Sequence, residues 1–133
     1  IATQTPDGLK VPVVRDVAAL RLQELAAEIR RVAEAARNGR ARREELAGST
    51  ITVTSLGKLG GIVSTPILNL PEVAILGLSK SAMKPVWDGK QFVPRLTLPL
   101  SLSYDHRVID GASAARFNAY LGQALADFRR VLL

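Results

Sequence analysis

The 133-residue chain has no cysteine, a single histidine, one tryptophan and one methionine, and aromatic residues make up only 5% of it. Each scarcity removes a class of chemistry. Without cysteine there is no disulfide, no thiol nucleophile and no zinc site built on thiolates, which agrees with a cytoplasmic location. A lone histidine argues against a multi-histidine metal centre, so no metal is expected. No apolar run reaches the roughly 18 residues that a membrane helix needs, and no charged leader precedes an apolar segment. Neither a membrane partner nor a signal peptide is therefore expected, and the chain reads as soluble. With so few aromatic rings, the core must come from the Leu, Val, Ile and Ala that bring hydrophobic content to 47%. A chain of this length suits one domain with a modest core.

Acidic residues are also outnumbered, 12 against 18 Lys and Arg, which leaves a net charge of +6. That balance permits an anionic partner without choosing one. Many of the basic residues lie between Arg30 and Arg43, interleaved with Glu28, Glu34, Glu44 and Glu45. Such alternation reads as the solvated face of a helix and its end. No interleaved aromatic residues accompany it, so no nucleic-acid partner is expected.

What is present centres on Leu98 to Phe117, LPLSLSYDHRVIDGASAARF. Leu96, Leu98, Leu100 and Leu102 alternate with Thr97, Pro99, Ser101 and Ser103, the period of a strand with one face buried. Phe117, Leu121, Leu125, Phe128 and Leu132 then recur at helical spacing, with Asp110 placed to cap the helix. His106 thus falls in a short strand-to-helix connection, where rigid elements on both sides can aim it. Imidazole is the side chain whose unperturbed pKa lies near neutrality, so it can take a proton without special tuning. Asp105 is adjacent to His106, and neighbouring residues seldom reach the geometry of a base and its orienter; with no GxSxG elbow either, a Ser-His-Asp hydrolase is disfavoured.

In chain order, Ile1 to Thr3 reads as the tail of a strand, and Pro6, Asp7 and Gly8 as a turn into a Val11–Val14 strand. Leu22, Leu25, Ile29, Val32 and Ala36 predict a helix closed by Asn38 and Gly39 and lying on a sheet. A helical turn at Glu44 to Leu46 leads to an alternating strand over Thr50 to Thr54. Gly57, Gly60 and Gly61 match neither phosphate-loop pattern, GxGxxG or GxxxxGK, and are assigned to tight turns. Val73 to Leu78 has the continuous apolar character of a strand buried on both faces, and Trp87 and Phe92 flank an Asp88-Gly89 hairpin turn.

The twelve-residue run SLSYDHRVIDGA resembles the signature of the dihydrolipoamide acyltransferase family, the core component of 2-oxo acid dehydrogenase complexes, which shares HxxxDG and its fold with chloramphenicol acetyltransferase. TPDGLKVPVV, GSTITVTSLG, STPILNLPEVAILG and the closing RRVLL look like further family segments in the same order. Within the family, KPVWDGKQFVPRLTLPLSLSYDH is most similar to the acetyltransferases of pyruvate dehydrogenase complexes. The resemblance implies an α/β, chloramphenicol-acetyltransferase-like two-layer sandwich with a mixed sheet and helices packed on one side. It also implies that residues 1–133 are the C-terminal part of the catalytic domain, its N-terminal part having no counterpart before Ile1.

The activity implied is transfer of an acyl group, most simply acetyl, between a dihydrolipoyl thioester and coenzyme A, with both thiols as substrates. His106 is then the general base. Thr54 matches the family's Ser or Thr hydroxyl for the oxyanion, with Ser55 beside it as a lesser candidate. Asp110 holds the histidine loop, and Gly111 allows close approach where the helix begins; Ser55 and Gly111 are weak candidates for substrate contact. Implied partners are further copies in a homotrimer that builds a larger core, lipoyl domains, and the decarboxylase and dihydrolipoamide dehydrogenase components. The alternative is a noncatalytic scaffold of the same core.

Overall fold

The structure, a computed structural model, describes residues 1–127 and 129. It begins with a hairpin of β1 (Thr3–Thr5) and β2 (Gly8–Lys10), paired antiparallel across the Pro6-Asp7-Gly8 turn. The expected Val11–Val14 strand does not form. Pro12 has no N–H to donate to a ladder, and the segment is held instead by the Val13 N–H donating to Glu45 O at 2.8 Å.

Helix α1 (Leu22–Arg37) follows, ending at Asn38 with Gly39 at φ 67°, the left-handed conformation that glycine adopts without penalty. Its apolar stripe is buried at Val32 (1% exposed), Ala33 and Ala36, against β1. The basic and acidic residues around its end pair with one another: Arg31 bridges Glu28 at 2.7 Å and Glu45 at 2.8 Å. A 3-10 turn over Arg43–Leu46 then leads to β3.

The centre is a three-stranded mixed sheet in the order β3 (Thr52–Ser55), β4 (Ala74–Leu78), β7 (Leu100–Tyr104). β3 and β4 run parallel, and β4 and β7 antiparallel. β4 lies in the middle with four of its five residues buried, as a continuous apolar run requires. A second hairpin, β5 (Ala82–Trp87) and β6 (Phe92–Thr97), closes over the Asp88-Gly89 turn, where the Trp87 and Phe92 rings meet edge to face at 5.2 Å. Helix α2 (Gly111–Ala126) packs on β7.

The single strand read from Leu96 to Leu102 is two strands. The Leu98-Pro99 step divides them: β6 pairs with β5, β7 pairs with β4, and Pro99 contributes only its carbonyl, which accepts from Ser79 N–H at 3.1 Å. Neither strand has a fully buried face in this chain, because β7 is half-buried throughout and Leu96 is exposed. On α2 only Ala114 is buried, while Phe117, Tyr120 and Leu125 stand exposed. Phe128 and Leu132, and most of the RRVLL segment, lie outside the described residues.

Candidate functional site

His106 stands in the turn two residues beyond the end of β7. The loop is fixed at both ends: Asp105 N–H donates to Val73 O at 2.9 Å, and Asp105 O accepts from the N–H groups of Val108 and Ile109, each at 3.0 Å. The Asp105 carboxylate is engaged on the other side of the histidine. It accepts from Arg107 side-chain nitrogens at 2.9 and 2.5 Å and from Arg107 N–H at 3.0 Å, and these bonds hold its carboxyl down at about 2, below the ordinary 3.8. Asp105 is therefore committed to shaping the loop. The His106 ring is exposed and tilts against Tyr104, with ring centroids 5.8 Å apart.

Asp110 is the N-cap of α2. Its carboxylate accepts from Ser113 N–H at 2.6 Å. That bond, then the Ser113 hydroxyl, then the charge of nearby His106, hold its carboxyl below the usual range. The structure thus brings Asp110 beside His106 in the capping role expected from the sequence. Gly111 is the first residue of α2, and a side chain there would meet the Tyr104 hydroxyl at 3.7 Å, an ordinary contact.

Thr54 lies in β3 and lines a cleft of about 510 Å³ together with Thr52, Ser64, Ile67, Asn69 and Ile75. A cleft of this volume with mainly apolar walls and a few polar groups suits a small or slender ligand. Ser55, one residue along, points to the other face of the strand; it is exposed, and its hydroxyl accepts from Gly57 N–H at 3.1 Å to build the turn.

Thr54 and His106 are not brought together within the chain. Thr54 is level with Gly77 and Ser101, whereas Tyr104, two residues before His106, is level with Ala74. Three residues along the strands and two strand spacings put Thr54 and Tyr104 roughly 14 Å apart, and the His106 ring lies against that of Tyr104.

Sequence reasoning missed a buried polar network under the cleft floor. Glu72 is buried; its Oε1 accepts from Ser49 Oγ and from Asn69 Nδ2 at 2.9 Å. Burial opposes its charged form, but the hydrogen bonds from Ser49, Thr52 and Asn69 outweigh that and hold its carboxyl below the usual range. The network joins the loop before β4 to the start of β3 and so positions the strand that carries Thr54. Its one sequence signal was the acidic Glu72 directly before the apolar run of β4.

Comparison with known proteins agrees with this architecture. The structure superposes with a TM-score of 0.96 on the Azotobacter vinelandii dihydrolipoamide acetyltransferase, at 59% identity over 99% of this chain and 54% of that one. That protein was investigated for the role of a serine, a histidine and an asparagine in its catalytic mechanism, the serine 52 residues before the histidine and the asparagine 4 after it. The cubic core of the pyruvate dehydrogenase multienzyme complex superposes equally well, at 58% identity. The fold is thus that of the catalytic cores of these complexes. The chain belongs to the 2-oxoacid dehydrogenases acyltransferase (catalytic domain) family, whose profile matches residues 1–133.

Among curated relatives, the acetyltransferase component of the pyruvate dehydrogenase complex of Cupriavidus necator is 58% identical over 99% of this chain. The lipoamide acyltransferase of the branched-chain alpha-keto acid dehydrogenase complex of Pseudomonas putida is 57% identical over 88% of it. The chain spans about a quarter of the length of these relatives, 24% and 28%, and about half of the solved cores.

Proposed function

We propose that residues 1–133 form the C-terminal part of an acyltransferase catalytic domain that moves an acetyl group between a dihydrolipoyl thioester and coenzyme A. The observation that carries this reading is positional. Thr54, His106 and Asp110 stand at the spacings, 52 and 4 residues, of the serine, histidine and asparagine investigated in the Azotobacter protein. A hydroxyl stands for a hydroxyl, and an N-cap aspartate for an asparagine that caps equally well.

His106 takes the proton of the attacking thiol, and the thiolate adds to the thioester carbonyl carbon. The carbonyl oxygen becomes an oxyanion that accepts a hydrogen bond from the Thr54 hydroxyl. Collapse reforms the carbonyl and breaks the old C–S bond, and the departing thiolate takes back the proton from the imidazolium. No net proton or electron is consumed, so the step runs in either direction.

Since the register keeps Thr54 and His106 apart in one chain, the site requires His106 from one copy and Thr54 from a neighbour. This supports a homotrimer, the unit of a larger core served by lipoyl domains and by the decarboxylase and dihydrolipoamide dehydrogenase components in the cytoplasm. Among the described residues no helix is long and apolar enough to cross a membrane. Acetyl rather than a branched acyl group rests on the KPVWDGKQFVPRLTLPLSLSYDH segment, since overall identity to the two kinds of relative differs by one percentage point.

The test is acetyl transfer from acetyl-coenzyme A to dihydrolipoamide, followed as thioester formation. Turnover that vanishes in His106→Ala is expected. A stable assembly without turnover would select the scaffold reading instead.

A further inference from the structure

Besides Thr54, the cleft is lined by the hydroxyl residues Thr52, Ser64 and Thr65, none of which the reaction as derived uses. Ser64 Oγ is buried and has no hydrogen-bond partner among the described residues. It sits directly over Gly77: a Cβ built on that glycine would lie 2.5 Å from Ser64 Oγ and 3.3 Å from Pro66 Cγ, so a side chain and the serine cannot share the space. Gly77 is the register partner of Thr54 on one side and of Ser101 on the other, and residues paired in register present the same face of the sheet. Ser64 is therefore lodged in the gap between Thr54 and Ser101, and both Ser64 and Thr54 line the cleft. Its backbone N–H donates to Ser101 Oγ at 3.4 Å, which ties the segment to the strand that ends at the His106 loop.

A buried hydroxyl without a partner is costly in an empty cleft, and the cost disappears when a ligand supplies the acceptor. The neighbouring walls at Leu9, Ile67 and Ile75 are apolar, which favours an aliphatic arm interrupted by an isolated carbonyl. We propose that Ser64 is a substrate-binding residue of the acyl-transfer site, whose hydroxyl donates to an amide carbonyl on the flexible thiol arm lying beside Thr54. Coenzyme A and dihydrolipoamide both carry such an arm. This assignment rests on the acyl-transfer reading for the identity of the arm, but the donor itself follows from the cleft.

The test is calorimetric titration of the assembled protein, wild type and Ser64→Ala, with coenzyme A and with dihydrolipoamide separately, beside melting curves and steady-state acetyl transfer. Removing an unpartnered hydroxyl should leave the melting temperature at or above that of the wild type. Affinity for one of the two thiols should fall about tenfold, the loss of one hydrogen bond, with KM for that substrate rising more than kcat falls. The arm that is affected identifies the substrate whose amide Ser64 reads. A wild type that binds a thiol, loses it in Ser64→Ala and yet transfers no acetyl group would sink the acyl-transfer reading and leave the Ser64 assignment standing. A lowered melting temperature with unchanged affinity, equal affinity of both proteins for both thiols, or no thiol binding by the wild type would overturn the assignment.

Discussion

At the scale of single residues, the candidate site divides by role, and different substitutions should cost different things. His106→Ala removes the proton acceptor and should lower turnover by roughly 10² to 10⁴. Thr54→Ala should cost about 10² to 10³ as a lost oxyanion donor, while Thr54→Ser keeps the hydroxyl and should stay within a few-fold of the parent. Steady-state kinetics on the three variants distinguish these outcomes; full activity in Thr54→Ala would move the oxyanion role elsewhere. Asp105 supplies a pH dependence whose sign is set by its depressed carboxyl. Its pairing with Arg107 favours the folded loop above the ordinary carboxyl value of 3.8 and is lost as pH falls through about 2. The Arg107 amide, which donates to Asp105 at 3.0 Å, should therefore shift in NMR spectra across that acid range, and an amide that does not move there would mean the pair is not formed.

At the scale of elements, the histidine loop depends on where α2 starts. Asp110→Ala removes the cap and should cost about 1 kcal/mol, a fall in melting temperature of roughly 4 °C, whereas Asp110→Asn still accepts from Ser113 N–H and should be close to neutral. Thermal unfolding followed by circular dichroism would show whether the two variants separate in that order. α1 is held by its small-residue stripe on β1. Val32→Ala, at a site with 1% exposure, should destabilise by about 2 to 3 kcal/mol through lost burial and the cavity left behind. A variant as stable as the parent would mean that α1 is anchored elsewhere.

At the scale of the whole molecule, the unburied apolar surfaces and the separated site residues bear on the proposed homotrimer. Phe117, Tyr120 and Leu125 on α2, and Met83, Trp87, Phe92 and Leu96 on the hairpin, are all exposed in this chain, which spans about half of the solved cores. The proposed homotrimer, with sites shared between copies, would bring Thr54 and His106 together and cover part of this surface. Unfolding and reassembling an equal mixture of His106→Ala and Thr54→Ala chains should restore activity to about a quarter of the sites, since each correct choice has a chance of about one half in a cyclic trimer. Mixed trimers as inactive as their parents would exclude the shared site.

The local features were legible in the chain alone because each depends on neighbours in sequence. The period of α1 and its Asn38-Gly39 end, the apolar run of β4, the Asp88-Gly89 turn and the Asp110 cap are all set by backbone preference within a few residues. The division at Pro99 and the missing strand at Pro12 carry a sequence signal, since proline cannot donate to a ladder, but the alternation from Leu96 to Leu102 runs across the first of them and masks it. Gly77, a glycine inside a buried strand, likewise marks a close approach without naming what approaches. Pairing across the sheet depends on register, and register is a property of segments far apart in the chain. Only the tertiary structure could therefore place Ser64 over Gly77, turn Ser55 away from the cleft and set Thr54 apart from His106.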